Sequence, residues 1–165
     1  MNAPPEAEET KESEEAEDVP IPALLRAARG AYGYAVTARL AAAEFDDMPR
    51  NGPYVLGGMA NHGGSAGDLI RQLGVTKQAA SQLIDTLVIR GYLERQVNPD
   101  DRRRTTITLT DRGRAAASIV EAGVDAVDEE LSGLVTPAGV AGLRAGLAAL
   151  CQIRERMEHR HDHRH

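Results

Sequence analysis

The chain holds one cysteine, Cys151, one phenylalanine and no tryptophan in 165 residues. A solitary cysteine on an apolar stretch near the end of a chain reads as a small core residue rather than a reactive thiol. No apolar run approaches the roughly 20 residues that a membrane-spanning helix requires. The chain opens without a basic segment followed by an apolar one, so no secretory signal peptide is expected and the cytoplasm is the default location. There is no glycine-rich phosphate loop, no serine or cysteine nucleophile in a recognisable motif and no interior cluster of metal ligands. Neither an enzyme nor a bound cofactor is therefore expected.

Positive charge is also in short supply: 19 Lys and Arg stand against 25 Asp and Glu, a net charge of −6. The acids are not spread evenly. Residues 1–18 hold eight acids and one lysine, whereas Ser65–Arg114 carries nine basic residues and six acids. The first 20 residues combine this glutamate run with Pro4, Pro5 and Pro20 and almost no apolar side chains. Such a segment buries too little surface to offset the cost of ordering its backbone, so a disordered acidic tail is expected over 1–20. It reads either as a solubilising tail or as a charged mimic of an anion that the basic part of the chain receives. What remains suits a single domain with a sizeable core.

The basic excess is concentrated at Asn98-Pro99-Asp100-Asp101-Arg102-Arg103-Arg104. This turn lies between Tyr92–Val97 and Thr105–Leu109, runs whose alternation of apolar and β-favouring residues predicts a hairpin. Three guanidiniums at one tip repel each other unless an anion receives them. Nucleic-acid phosphate or the electronegative minor groove would do so; a solvated charged loop is the alternative.

Upstream, Ser65-Ala66-Gly67-Asp68 is a capping-box pattern opening a short helix with Leu69, Ile70 and Leu73. Gly74 can end that helix in a left-handed conformation, and Thr76 can cap a second helix running from Lys77 to Arg90. In the second helix Ala80, Leu83, Ile84 and Leu87 form one apolar stripe facing the first. The opposite face carries Lys77, Gln78, Ser81, Gln82 and Asp85, rather than the alternating Glu and Lys of a merely solvated surface. Gln presents donor and acceptor together to a base edge, and Lys and Ser reach guanine or phosphate. These residues, with Ser65 and Thr76 at the two helix starts, fit a recognition helix in a major groove. Helix, turn, helix, strand, basic tip, strand is the order of a winged helix-turn-helix.

Outside this core, Ile21, Leu24, Leu25, Ala28, Tyr32, Ala35, Val36 and Leu40 mark a first helix ending near Asp46, and Pro53–Asn61 predicts a shorter one. Thr110 caps a helix with Ile119, Val120, Val124, Val127 and Leu131, and Thr136-Pro137 opens a last one with Val140, Leu143, Leu147 and Leu150. The expected fold class is mainly α with a small β-hairpin wing. The terminal helices have apolar faces that a lone winged domain covers poorly.

The chain resembles the MarR family of bacterial transcription regulators. The resemblance is carried by Leu73-Gly74-Val75-Thr76, Leu83-Ile84-Asp85, Leu87, Arg90-Gly91-Tyr92-Leu93-Glu94-Arg95, Asp100-Asp101-Arg102-Arg103 and Leu109-Thr110-Asp111-Arg112-Gly113, and it covers roughly Ile21–Met157. It implies a homodimer held by N- and C-terminal helices, here about 21–46 and 110–158, around a DNA-binding lobe at about 53–109. It implies double-stranded DNA as partner, read as an inverted repeat. It further implies that Asp101 orients Arg103, which enters the minor groove, leaving Arg102 and Arg104 to phosphates. A small-molecule effector would sit between the dimerisation helices and the lobe, with Tyr32, Arg39, Phe45, Tyr54 and Met59 as candidate lining residues or plain packing residues.

Gly57, Gly58, Gly63 and Gly64 imply either a pliable segment or close helix packing around the second helix. The His159–His165 run, alternating His with Arg and Asp, reads as a solvated tail or an adventitious metal chelator. Two alternatives stay open: a winged module that assembles with proteins and has lost its DNA function, and a metal- or redox-sensing variant of the regulator.

Overall fold

The computed structural model describes residues 18–62, 65–72, 74–97 and 105–162. The expected acidic tail up to residue 17, the basic tip at 98–104 and the glycines at 63 and 64 lie outside the described residues. Six helices and one hairpin are found among the described residues: α1 (Ile21–Ala42), α2 (Gly52–His62), α3 (Ala66–Gln72), α4 (Lys77–Ile89), β1 (Leu93–Val97), β2 (Thr105–Leu109), α5 (Asp111–Leu134) and α6 (Pro137–Asp162). The chain divides into two compact units between Val124 and Asp125.

In the first unit α1 stops four residues earlier than its apolar pattern suggested. Glu44 adopts φ of 62°. Its N–H donates to Ala41 O at 3.0 Å and the Phe45 N–H to Leu40 O at 2.9 Å. This is the paired hydrogen-bond pattern that closes a helix on a left-handed residue, normally a glycine. A glutamate there carries the steric cost of its Cβ, about 1–2 kcal/mol.

The α4 terminus uses the same device with the expected residue type. Gly91 has φ of 73°, its N–H donates to Val88 O at 3.0 Å, and the Tyr92 N–H donates to Leu87 O at 2.9 Å. Leu87 and Tyr92, the pair such a turn brings together, are both fully buried. Tyr92 therefore belongs to the turn, and the strand begins one residue later than its β-favouring pattern suggested.

The core of this unit is formed by Val36 and Leu40 of α1, Val55 and Leu56 of α2, Ala66, Leu69 and Ile70 of α3, Leu87 of α4, Tyr92, Leu93, and Ala116, Ala117 and Val120 of α5. Each fully buried Leu, Ile or Tyr contributes roughly 1.5–3 kcal/mol through removal of its apolar surface from water. Buried Gly113, Ala116, Ala117, Val120 and Gly123 share one α5 face. A Cβ at Gly123 would stand 3.0 Å from Val36 Cα, so α1 and α5 meet nearly backbone to backbone. Gly58 and Gly57 follow the same logic: a Cβ at Gly58 would lie 2.6 Å from Leu69 Cδ2, and one at Gly57 3.3 Å from Val120 Cγ1. Close packing, rather than pliancy, accounts for both.

In the second unit Thr136 Oγ1 accepts from Gly139 N at 3.2 Å and opens α6. That helix continues through Asp162, beyond the expected end. Leu143, Leu147, Leu150, Ile153 and Met157 all stand exposed along it. Cys151, expected in a core, is also exposed. No helix among the described residues is long and apolar enough to cross a membrane.

Candidate nucleic-acid interface

Two caps hold the helix-turn-helix. Ser65 Oγ accepts from Asp68 N at 3.1 Å and donates to Asp68 Oδ2 at 2.6 Å. Ser65 thus fills the capping role expected of it, with the acid receiving the hydroxyl proton. Thr76 Oγ1 accepts from Ala79 N at 3.2 Å at the start of α4, and Gly74 takes φ of 66° in the turn between the helices. Below, Leu87 is buried while Ala80, Leu83 and Ile84 pack partly buried against the core. Above, Thr76, Lys77, Gln78, Ser81, Gln82 and Asp85 are all exposed. One α4 face is thereby anchored and the other presents donors and acceptors.

Asp85, the single acid on that face, is already engaged: Arg95 Nη2 of β1 lies 2.5 Å from its Oδ1. The pair is about half exposed and therefore worth little in stability, roughly 0.2–1 kcal/mol. Its effect is geometric, since it ties the hairpin root to α4 and gives the one acid on that face a counter-charge. The hairpin is antiparallel with Leu93 opposite Leu109 and Arg95 opposite Ile107. Asp101, Arg102, Arg103 and Arg104 lie between the two strands in the sequence and outside the described residues.

The far end of the hairpin returns to the helix-turn-helix through Thr110. Its Oγ1 donates to Gly91 O at 2.5 Å and accepts from Gly113 N at 2.9 Å, capping α5, while its N–H donates to Tyr92 O at 3.1 Å. A Cβ at Gly113 would stand 2.0 Å from Tyr92 O. The Leu-Thr-x-x-Gly spacing thus has a physical reason: threonine clamps the turn after α4, and three residues on only glycine clears its carbonyl.

One constellation was missed by the residue patterns. Asp47, in the connection between α1 and α2, receives the Tyr92 hydroxyl on Oδ1 at 2.5 Å and Arg112 Nη2 at 2.8 Å. Its backbone carbonyl accepts from Arg90. The Arg112 guanidinium lies 4.6 Å from the Tyr92 ring centroid and 5.6 Å from that of Phe45, within reach of cation–π attraction. The Tyr92 hydrogen bond, joined by the Arg112 and Arg90 charges, holds the Asp47 carboxyl below the usual carboxylate range against the opposing effect of burial. Burial, helped by the Asp47 carboxylate, pushes the Tyr92 hydroxyl up. Arg90, Tyr92 and Arg112 all lie in the matched motifs, but their common acid is 43 to 65 residues away and carries no local signature.

Beside this cluster lies a cleft of about 310 Å³ whose lining includes Thr37, Leu40, Phe45, Met48, Pro49 and Arg50. Of the candidate effector residues only Phe45 borders it. Arg39 donates along its own helix to Ala35 O at 3.5 Å, Tyr54 is 44% exposed, Met59 packs against the core, and Tyr32 is half-buried on α1. The described residues contain no group of His, Cys, Asp and Glu able to hold a metal ion.

An α-helical frame with a capped helix-turn-helix and a two-stranded wing defines the winged helix-turn-helix class. Residues 46–104 match the MarR family model. A Mycobacterium tuberculosis MarR family protein, solved in complex with p-aminosalicylic acid, is 27% identical with a TM-score of 0.53, covering 80% of this chain and 98% of that one. The Staphylococcus aureus MepR–DNA complex shares the fold at 20% identity and a TM-score of 0.64, over 82% of this chain and 98% of that one. Over residues 46–104 the chain is thus similar to the MarR family, and its fold is that of solved members. Among curated sequences, an uncharacterized Mycobacterium tuberculosis protein is 32% identical over 77 residues, 47% of this chain and 54% of that protein. The chain thus spans about half the length of the curated relatives it matches.

Proposed function

We propose that the protein is a transcription regulator that binds duplex DNA as a homodimer. The observation that carries this is the exposed Lys77, Gln78, Ser81 and Gln82 face of α4, set over an apolar stripe and flanked by the wing root. In this reading α4 enters the major groove, where Gln and Lys read base edges. Ser65 and Thr76 approach the backbone from the two helix starts. Arg103, oriented by Asp101, enters the minor groove, and Arg102 and Arg104 meet phosphates. The S. aureus protein of the same fold was solved bound to DNA, which supports the reading.

The dimer follows from the apolar stripe Leu143, Leu147, Leu150 and Ile153, exposed in the single chain along α6; a second copy covers it, and an inverted repeat supplies one half-site per protomer. The cleft at Phe45 is the candidate seat of a small-molecule effector, a role supported by the M. tuberculosis neighbour solved with an aromatic acid. Tyr32, Arg39, Tyr54 and Met59 take part only if a second protomer or a bound ligand rearranges their surroundings. The acidic segment 1–20 keeps the overall charge negative while the lobe stays locally positive.

The test is selection of duplexes from a random pool, followed by fluorescence anisotropy across salt concentrations. An inverted repeat should emerge, and log affinity should fall linearly with log salt, by roughly 0.9 per phosphate contact. Arg103→Ala should weaken binding at least tenfold while leaving thermal unfolding unchanged. An unchanged midpoint for that variant would refute the wing assignment, and failure to enrich any duplex would refute the function.

A further inference from the structure

The Asp47 cluster lies outside the surface assigned to DNA, yet it joins the three elements that set that surface. Arg90 is the C-cap of α4, Tyr92 is the last residue before β1, and Arg112 is in the first turn of α5. All three donate to one residue of the α1–α2 connection: Tyr92 at 2.5 Å and Arg112 at 2.8 Å to the carboxylate, Arg90 to the backbone carbonyl. Arg112 Nη2 also lies 3.2 Å from the Tyr92 hydroxyl, so the contacts close into a triangle. The Phe45 and Tyr92 ring centroids stand 6.0 Å apart and complete the packing around it.

The backbone of the same turn is held from the other side by Thr110, through Gly91 O and Tyr92 O. The angle between recognition helix and wing therefore pivots on a turn that is gripped twice, through its backbone by Thr110 and through the Arg90 and Tyr92 side chains by Asp47. The Thr110 grip is local to the lobe. The Asp47 grip reaches it from 45 residues away. The Asp47 and Arg112 side chains are both more than two-fifths exposed, so their ion pair adds little to global stability. Its geometry is nevertheless specific, with one oxygen shared by a phenol and a guanidinium.

We propose that Asp47 is a positioning residue for DNA reading, which sets the angle between α4 and the wing through Tyr92, Arg112 and Arg90 without touching DNA. The proposal rests on the DNA-binding reading above. Without Asp47 the Tyr92 hydroxyl loses its acceptor and Arg112 its counter-charge. The α4–wing turn then samples a wider range of angles, and only part of that range lets helix and wing engage the two grooves together.

The experiment compares wild type, Asp47→Ala, Asp47→Asn, Tyr92→Phe and the double variant Asp47→Ala/Tyr92→Phe. Each is assayed by thermal unfolding and by anisotropy on the duplex that wild type selects from a random pool. Asp47→Ala and Tyr92→Phe should each lose about tenfold in affinity, the size expected for one hydrogen bond to a charged group. Each should retain the wild-type salt slope, because no phosphate contact is removed. The double variant should bind no worse than Asp47→Ala alone, since both substitutions break one link. Asp47→Asn, which keeps an acceptor for the Tyr92 hydroxyl, should recover most of the loss. Discrimination against duplexes whose half-site spacing differs by one base pair should weaken in Asp47→Ala, which loss of stability alone would not produce.

Wild-type affinity in both single variants overturns the proposal, as does a reduced salt slope, which would mean that Asp47 governs the number of phosphate contacts and not the angle at which helix and wing are presented. If Asp47→Ala fails to fold, Tyr92→Phe decides the matter alone. A wild-type protein that enriches no duplex overturns the DNA-binding reading and this proposal with it. A wild type that binds while both variants match it overturns this proposal only.

Discussion

Replacing Gly113 and Gly91 by alanine separates two reasons for a glycine. At Gly113 the new Cβ would lie 2.0 Å from Tyr92 O, where ordinary contact begins near 3.4 Å. The obstacle is a backbone carbonyl, which cannot rotate aside as a side chain can, so the start of α5 or the α4–β1 turn must retreat by more than 1 Å. Overpacking of this kind costs typically 1–3 kcal/mol and occasionally more. The retreat also stretches the Thr110 N–H bond to Tyr92 O, 3.1 Å long, and the Thr110 hydroxyl bond to Gly91 O, 2.5 Å long; such bonds are worth about 1 kcal/mol each. A total of about 4 kcal/mol corresponds, for a chain of this size, to a fall in Tm of roughly 8–16 °C. At Gly91 nothing lies within 4 Å of an added Cβ, so Gly91→Ala carries only the left-handed backbone cost, about 1–2 kcal/mol, and a fall of roughly 2–8 °C. Both should be measured by calorimetry at one protein concentration, because coupling to a dimer would make Tm concentration-dependent. The reasoning is refuted if Gly113→Ala melts within about 2 °C of wild type, or no lower than Gly91→Ala.

Glu44→Gly removes the steric cost of a left-handed glutamate at the α1 terminus and should raise Tm by roughly 2–4 °C, equivalent to about 1 kcal/mol; an unchanged or lower Tm refutes the strain. Gly123→Ala places a Cβ 2.9 Å from Val36 Cγ2 and 3.0 Å from Val36 Cα, forces α1 and α5 apart, and should cost about 1–3 kcal/mol in urea unfolding. The Asp47 carboxyl titrates below its ordinary range in the folded protein, chiefly through the Tyr92 hydroxyl and then the Arg112 and Arg90 charges. Its contribution is therefore present above the ordinary carboxylate pKa, about 3.9, and is lost as pH falls through the lower folded value. The difference in Tm between wild type and Asp47→Asn should be larger at pH 6 than at pH 3, and a difference independent of pH contradicts that assignment.

Local signals carried most of the fold. Ser65, Thr76, Thr110 and Thr136 each precede a helix and each cap it, and the period of Ala80, Leu83, Ile84 and Leu87 correctly named the anchored face of α4. The α1 terminus was misplaced because its left-handed residue is Glu44, and the pattern that marks such ends looks for glycine. The glycines of α2 were read two ways because close packing depends on Leu69 and Val120, whose approach is a tertiary fact. At the site, the polar face of α4 was legible because its composition departs from a solvated surface. The Asp47 cluster was not, since an aspartate in a polar connection resembles any other until Tyr92 and Arg112 arrive beside it.

The connection that contains Asp47 also divides the labour of its side chains. Asp46 and Met48 border the cleft, while Asp47 between them faces Tyr92 and Arg112. Substitutions at positions 46 and 48 can therefore reshape what the cleft accepts while the residue that addresses the wing root stays unaltered. If the cleft takes an effector and α4 reads DNA, as proposed, a lineage can change its chemical cue at these two positions and keep its DNA site, or retune its grip at position 47 and keep its cue.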